Sequence, residues 1–227
     1  MDLLRKLSNV IFPDCCVFCG EATGLSYVCR GCVEKLRKEQ DVSCAVCGNA
    51  LSGCVCNKIE HVPYKKALFW YDGLTVRLIH SLKNECYAET SVYAAEKMAE
   101  KLVRDGIDKK ISYITYIPRE IKKVKLLGAE PSRTISENIG LIIKKPVLRI
   151  LECVKKTDQK TLSAKERQEN IKGAFLLSDD FISADNILLI DDVETTGATL
   201  SECASLIHAK GVKNIYVFVA AKTTYKT

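Results

Sequence analysis

No stretch of about 18 consecutive apolar residues occurs in this sequence, so nothing in it reads as a membrane-spanning helix. The opening residues, MDLLRKLSNVIFPDCC, carry Asp2, Arg5 and Lys6 and lack the apolar core of a secretory signal. That absence predicts a cytoplasmic protein, where disulfides are rare and cysteines more often bind metal or do chemistry. Aromatics are sparse at 7%, which argues against a surface built mainly on stacked bases. The three histidines, His61, His80 and His208, have no ligand spacing among them. Internal repeats and low-complexity tracts are missing. The net charge of +6 is too modest to point to nucleic acid by itself.

What the chain does have is unevenly placed. Its 227 residues suit one sizeable domain with a small appendage. Nine of its 12 cysteines fall between Cys15 and Cys56, so a boundary is expected near residue 60, with a module over 1–60 and a domain over 61–227. Residues 1–60 are neutral, with 7 basic and 7 acidic side chains. Residues 118–149 carry 8 basic against 3 acidic, and residues 173–227 carry 4 against 7. A basic block therefore accompanies an acidic segment.

Beyond the cysteines the pattern predicts strands at Ala67–Asp72, Ile111–Ile117, Val147–Val154, Asn186–Ile190 and Ile215–Ala220. Helical spacing appears at Leu74–Lys83, Thr90–Arg104, Ser132–Ile143 and Thr199–Lys210, the last closed by Gly211. Ser163–Lys172 is polar and reads as helix or loop. From residue 111 onward strands alternate with helices, which predicts an α/β fold with a mostly parallel sheet.

The sharpest motif is ILLIDDVETTGATL at 187–200. An apolar strand delivers Asp191 and Asp192 to its C-terminal end, where open α/β sheets bind ligands. Backbone amides from Glu194 to Thr199, the hydroxyls of Thr195, Thr196 and Thr199, and the start of the next helix suit a phosphate. Gly197 permits a backbone conformation that a side chain resists. Carboxylates repel phosphate but accept hydrogen bonds from sugar hydroxyls. Taken residue by residue, this is a strand–turn–helix with two surface aspartates; taken together, the residues suit a phosphorylated ribose.

DDVETTGAT resembles the phosphoribosyl pyrophosphate (PRPP) signature of type I phosphoribosyltransferases. Three further segments narrow the resemblance to the ComF family of competence-associated proteins: LIHSLKNECYAE (78–89) with Lys83; Gln159, Leu162, Arg167, Asn170 and Gly173-Ala174-Phe175; and FPDCCVFCG (12–20). The resemblance implies that Asp191 and Asp192 bind ribose hydroxyls. It implies that the stretch Val193, Glu194, Thr195, Thr196, Gly197, Ala198 and Thr199 surrounds the 5′-phosphate. Pro118 and Arg119 would form the pyrophosphate loop, with Mg²⁺ bridging the pyrophosphate oxygens. Cations near the departing pyrophosphate would stabilise its growing charge, with Arg119 the first choice and Lys83, Lys122, Lys123, Lys125 and Arg167 as candidates. One segment departs from the family. Where an RGFNQ-like stretch is usual, this chain has Leu127-Gly128-Ala129-Glu130-Pro131, so the resemblance supports ligand binding more firmly than turnover.

Cys16-x-x-Cys19 with Cys29-x-x-Cys32 gives four thiolates at the spacing of a tetrahedral structural zinc. Cys44-x-x-Cys47 with Cys54-x-Cys56 makes a second set, so two zinc ions are expected. Disulfides and an iron–sulfur cluster are the competing readings, interleaved pairing is the alternative to sequential pairing, and Cys15 is spare. Two function classes follow. One is a protein that uses its phosphoribosyl site to bind ligand and, as the resemblance implies, acts in DNA uptake with single-stranded DNA and other competence proteins as partners. The other is an enzyme moving phosphoribosyl from PRPP to an acceptor the sequence does not name.

Overall fold

The computed structural model describes residues 14–24, 26–39, 49, 54, 58–83, 88–154, 171–179 and 181–223. At its centre four strands run parallel: β3 (Tyr64–Trp70), β4 (Tyr113–Tyr116), β7 (Asn186–Glu194) and β8 (Asn214–Lys222), in the order β3-β8-β7-β4. Registers are regular, with Ile187 opposite both Tyr113 and Ile215. Helices α2 (Leu74–Lys83), α3 (Ala88–Arg104) and α5 (Pro131–Ile143) cover one face, and α6 (Ala198–Ala209) covers the other. The expected mostly parallel α/β sheet is present.

Strand alternation explains the two cores. Leu188, Ile190 and Phe218 point to α2, α3 and α5, meeting Leu78, Ile79, Met98, Ile135 and Ile139. Ile187, Leu189 and Val217 point to α6, meeting Leu200, Cys203, Ala204 and Ile207. Because β7 and β8 are covered on both faces, their sequences read as nearly unbroken apolar runs.

Small elements complete the chain: the ribbon β1 (Asp14–Cys15) with β2 (Ala22–Gly24), α1 (Arg30–Glu39), a short helix α4 (Ile121–Leu127), and the ribbon β5 (Leu151–Cys153) with β6 (Phe175–Leu177). The expected strand Val147–Val154 forms only in part. Val147 makes one bridge to Ile114, after which the chain leaves the central sheet to pair with β6. Nearly all of Ser163–Lys172 lies outside the described residues. Among the described residues, no helix is long and apolar enough to cross a membrane.

Candidate functional site

A cleft of about 720 Å³ opens at the C-terminal ends of β4 and β7. Its floor is the motif singled out above, with one difference. Asp191, Asp192, Val193 and Glu194 still belong to β7, so the turn itself is only Thr195, Thr196 and Gly197. Gly197 caps α6 at φ 77°, ψ 0°, the left-handed region that favours glycine. Ala198 and Thr199 form the first turn of α6, one residue earlier than the spacing predicts.

Alternation sends the two aspartates opposite ways. Asp191 turns inward and is 8% exposed. Its Oδ1 accepts hydrogen bonds from Ser132 Oγ (3.1 Å), in the first turn of α5, and from the Asp192 amide (2.9 Å). Burial, reinforced by the Asp192 charge, raises its pKa well above the ordinary carboxylate range. Asp192 turns toward the cations. Its Oδ2 lies 3.8 Å from Lys83 Nζ, at the end of α2, and 3.7 Å from Arg119 Nη2, in the loop after β4. Lys83, Arg119 and Asp192 thus converge from three separate segments.

Arg119 is held on both sides. Its Nη1 donates to the Ala129 carbonyl (3.1 Å), and its amide donates to Glu130 Oε1 (3.2 Å). Both partners come from the segment that departs from the family pattern. Of the other candidate cations, Lys123 lines the cleft, whereas Lys122 and Lys125 are exposed on α4 outside it. Gln159, Leu162, Arg167 and Asn170 lie outside the described residues. Phe175 does reach the cleft wall, beside Cys153 and Ile171.

A buried charge cluster went unread in the sequence. Glu194 Oε1 is 2.6 Å from Lys65 Nζ and its Oε2 is 4.0 Å from Lys222 Nζ. The Glu194 and Lys222 side chains are 1% and 4% exposed. Burial lowers the pKa of Lys65 and the Glu194 charge opposes that shift. The available signal was a lysine near the start of one apolar strand, Lys65 in β3, and a lysine closing another, Lys222 in β8. Lys222 Nζ also donates to Cys54 Sγ at 3.5 Å. Cys44, Cys47 and Cys56 lie outside the described residues.

The first cysteine set comes together. Sulfurs of Cys16, Cys19, Cys29 and Cys32 all lie within 4.8 Å of one another, and all four cysteines are free of disulfides. A tetrahedral zinc with bonds of about 2.3 Å places its sulfurs about 3.8 Å apart; Cys19 Sγ and Cys29 Sγ are 3.7 Å apart. The Cys29 amide points at Cys16 Sγ and the Cys32 amide at Cys29 Sγ, both at 3.4 Å. Burial raises the Cys16 thiol, but hydrogen bonds from Cys29, Cys19 and Phe18 outweigh it and bring it down to about 7. Burial and the neighbouring thiols push Cys32 up. Thiols this crowded ionise together only around a cation. The donor set fits zinc.

Residues matched to Competence protein F of Haemophilus influenzae are 31% identical over 159 positions, 68% of this chain and 62% of that protein. DNA utilization protein YhgH of Salmonella typhimurium is 26% identical over 229 positions, covering 93% of this chain and 98% of that one. The chain belongs to the ComF family. Competence protein ComFC of Streptococcus pneumoniae adds a 24% match over 47% of this chain. The chain spans about three fifths of the Haemophilus protein and about half, 53%, of the Streptococcus one. No family model matches the chain.

Proposed function

We propose that this ComF-family chain binds PRPP or a ribose 5-phosphate in the cleft at the ends of β4 and β7, and serves DNA uptake through that site. One observation carries the reading: Asp192, Lys83 and Arg119 meet beside the Gly197 turn, within one cleft. A carboxylate suits sugar hydroxyls, cations suit a pyrophosphate, and the start of α6 suits a 5′-phosphate. Asp191 and Asp192 would take the hydroxyls, Thr195–Thr199 the 5′-phosphate, and Arg119 with Lys83 the pyrophosphate.

The cleft charge bears on a metal. Lys83, Arg119 and Lys123 face Glu120, Glu130, Asp191, Asp192 and Glu194, three cations against five acids. Glu194 is met from behind by its two lysines and Asp191 is pushed toward its neutral form, which leaves three acids against three cations. A lining with no surplus of positive charge fits a pyrophosphate only in company with a divalent cation such as Mg²⁺, whose chemistry would be to screen the phosphate oxygens. Structural zinc would occupy the Cys16, Cys19, Cys29 and Cys32 site, with a second ion in the set that includes Cys54.

In the transferase reading, an electron pair of the acceptor's nucleophile forms the new bond to C1′, the C1′–oxygen bond breaks, the pyrophosphate leaves with its electron pair, and Arg119 and Lys83 offset its charge. Arg119 supports this reading because Ala129 and Glu130 hold it in place before any ligand arrives. Titration with PRPP, ribose 5-phosphate and a single-stranded oligonucleotide, each at two salt concentrations, tests the proposal. Binding of the two sugar phosphates, weakened when Asp191 and Asp192 become Asn, supports it. Oligonucleotide binding with no response to either sugar phosphate rejects the cleft assignment.

A further inference from the structure

We propose that metal held by Cys16, Cys19, Cys29 and Cys32 controls the placement of Lys83 in the cleft, with α2 as the connecting strut. Phe18, between the first two cysteines, is 1% exposed. Its ring stands edge-on to Phe69 of β3 and to Tyr93 of α3, both at 5.7 Å, and Tyr27 touches Tyr93 from the other side of the knuckle at 6.5 Å. The core that receives Phe18 also contains Leu78, Ile79 and Leu82 of α2. On the solvent side, the Arg77 guanidinium of the same helix lies across Gly20. A Cβ on Gly20 would stand 2.0 Å from Arg77 Nη2. The knuckle therefore borders α2 twice, through the core they share beneath it and through Arg77 above.

The two ends of α2 respond differently to that grip. Its start is anchored within its own domain: the Thr75 hydroxyl donates to the Trp70 carbonyl and accepts from the Asp72 amide at 3.0 Å. Its end carries Lys83 to Asp192. Four thiolates around Zn²⁺ have a formal charge of about −2, and Arg77 is placed to answer it. The knuckle has two strands of two and three residues and too little core to hold its shape without metal. When metal leaves, Phe69 and Tyr93 lose the fixed ring of Phe18, and Arg77 loses Gly20 and the thiolate charge. The anchored first turn of α2 stays, and the loosening is expressed at Lys83. Linkage then requires the reverse: an anion that fixes Lys83 must raise the affinity for metal by the same factor by which metal raises the affinity for the anion.

The inference rests on the cleft reading only for its affinity arm. Hydrogen exchange on the full chain, zinc-loaded and after chelation, tests the structural arm, with emission from Trp70, the single tryptophan, as a second readout. Chelation is expected to speed exchange across 74–83 while 186–194 and 198–209 stay protected, and to shift the Trp70 emission. Unchanged protection across 74–83 with the zinc gone overturns the proposal. If chelation strips protection from the whole sheet, the zinc-loaded Arg77→Gln variant decides. It should release zinc to a chelator faster and bind ribose 5-phosphate about fivefold or more weakly. Unaltered zinc release together with unaltered exchange at 74–83 overturns the coupling. Should the wild type not bind ribose 5-phosphate, the cleft reading falls, and exchange alone decides the coupling.

Discussion

Replacing Asp192 with Asn separates the two duties assigned to that residue, because they respond with opposite sign. The substitution keeps the size of the side chain and its ability to accept from the Val193 amide, now 2.8 Å from Oδ1. It removes the charge that faces Lys83 at 3.8 Å and Arg119 at 3.7 Å. A ligand with ribose hydroxyls loses a charge-assisted hydrogen bond and keeps a neutral one, a loss of about 1.5 kcal/mol or roughly tenfold in affinity. Inorganic pyrophosphate has no hydroxyl to lose. It gains because a repelling charge is gone and two cations are released to it. A unit charge about 6 Å away contributes about 3 kcal/mol at an effective dielectric of 20, and salt in an open cleft reduces this to about 1 kcal/mol, roughly fivefold tighter binding. Isothermal titration of wild type and variant with both ligands, at two salt concentrations, reads the crossover. If both ligands weaken equally, Asp192 is only a scaffold for the two cations. If ribose 5-phosphate is unaffected, the hydroxyls lie elsewhere.

Three further outcomes follow from the buried charges and the basic helix. Because burial and Asp192 raise the Asp191 pKa, the folded chain keeps a proton that the unfolded chain releases above about pH 4, so this group's contribution to stability falls as pH rises toward the folded value. Asp191→Asn should therefore raise Tm by an amount that grows with pH over that window, and a constant or negative difference refutes the assignment. Glu194→Gln leaves Lys65 and Lys222 buried without their carboxylate and should cost about 3–5 kcal/mol; denaturant unfolding that shows less than 1 kcal/mol contradicts the buried pair. For DNA, affinity for a single-stranded oligonucleotide should fall with salt on a log–log slope of several units, and Lys122→Gln with Lys125→Gln should reduce that slope by about 0.7 per lost phosphate contact. Salt-independent binding rules out the basic block as the contact.

Where burial and periodicity coincide, the sequence reading holds to the residue. Helix α2 runs from Leu74 to Lys83 as its spacing predicts, because Leu78, Ile79 and Leu82 all face one core. Helix α4 was invisible for the converse reason. It has no buried residue, Ile121, Leu126 and Leu127 are exposed, and without a core to face there is no stripe to read. Strand β6 is three residues long, too short for alternation to show. The extension of β7 through Asp191, Asp192, Val193 and Glu194 was read as loop because polar residues signal an end. The strand continues because Asp191 finds Ser132 and Glu194 finds Lys65. The cluster of Asp192, Lys83 and Arg119 was legible only through resemblance, since no local pattern links three segments so far apart in the chain. The four cysteines needed no such help. Their two knuckles sit close enough in sequence for spacing alone to set the geometry.

The segment Leu127–Pro131 shows why a departure from a family pattern is not a loss of a part. Gly128 closes α4 in the left-handed region at φ 70°, and its amide donates to the Val124 carbonyl. That turn brings the Ala129 carbonyl and the Glu130 carboxylate onto Arg119, while Pro131 opens α5. Ser132, the next residue, meets Asp191. Two consecutive turns of chain thus fix the loop arginine and one of the two aspartates from the same side. A segment that only covered the cleft would need no such contacts and would tolerate any small polar sequence. This one instead ties the cation loop to the end of β7, so the distance between Arg119 and Asp192 is set before a ligand arrives. In physical terms Gly128 is the residue of this segment whose left-handed backbone favours glycine, and it is the one residue of the family stretch that this chain retains.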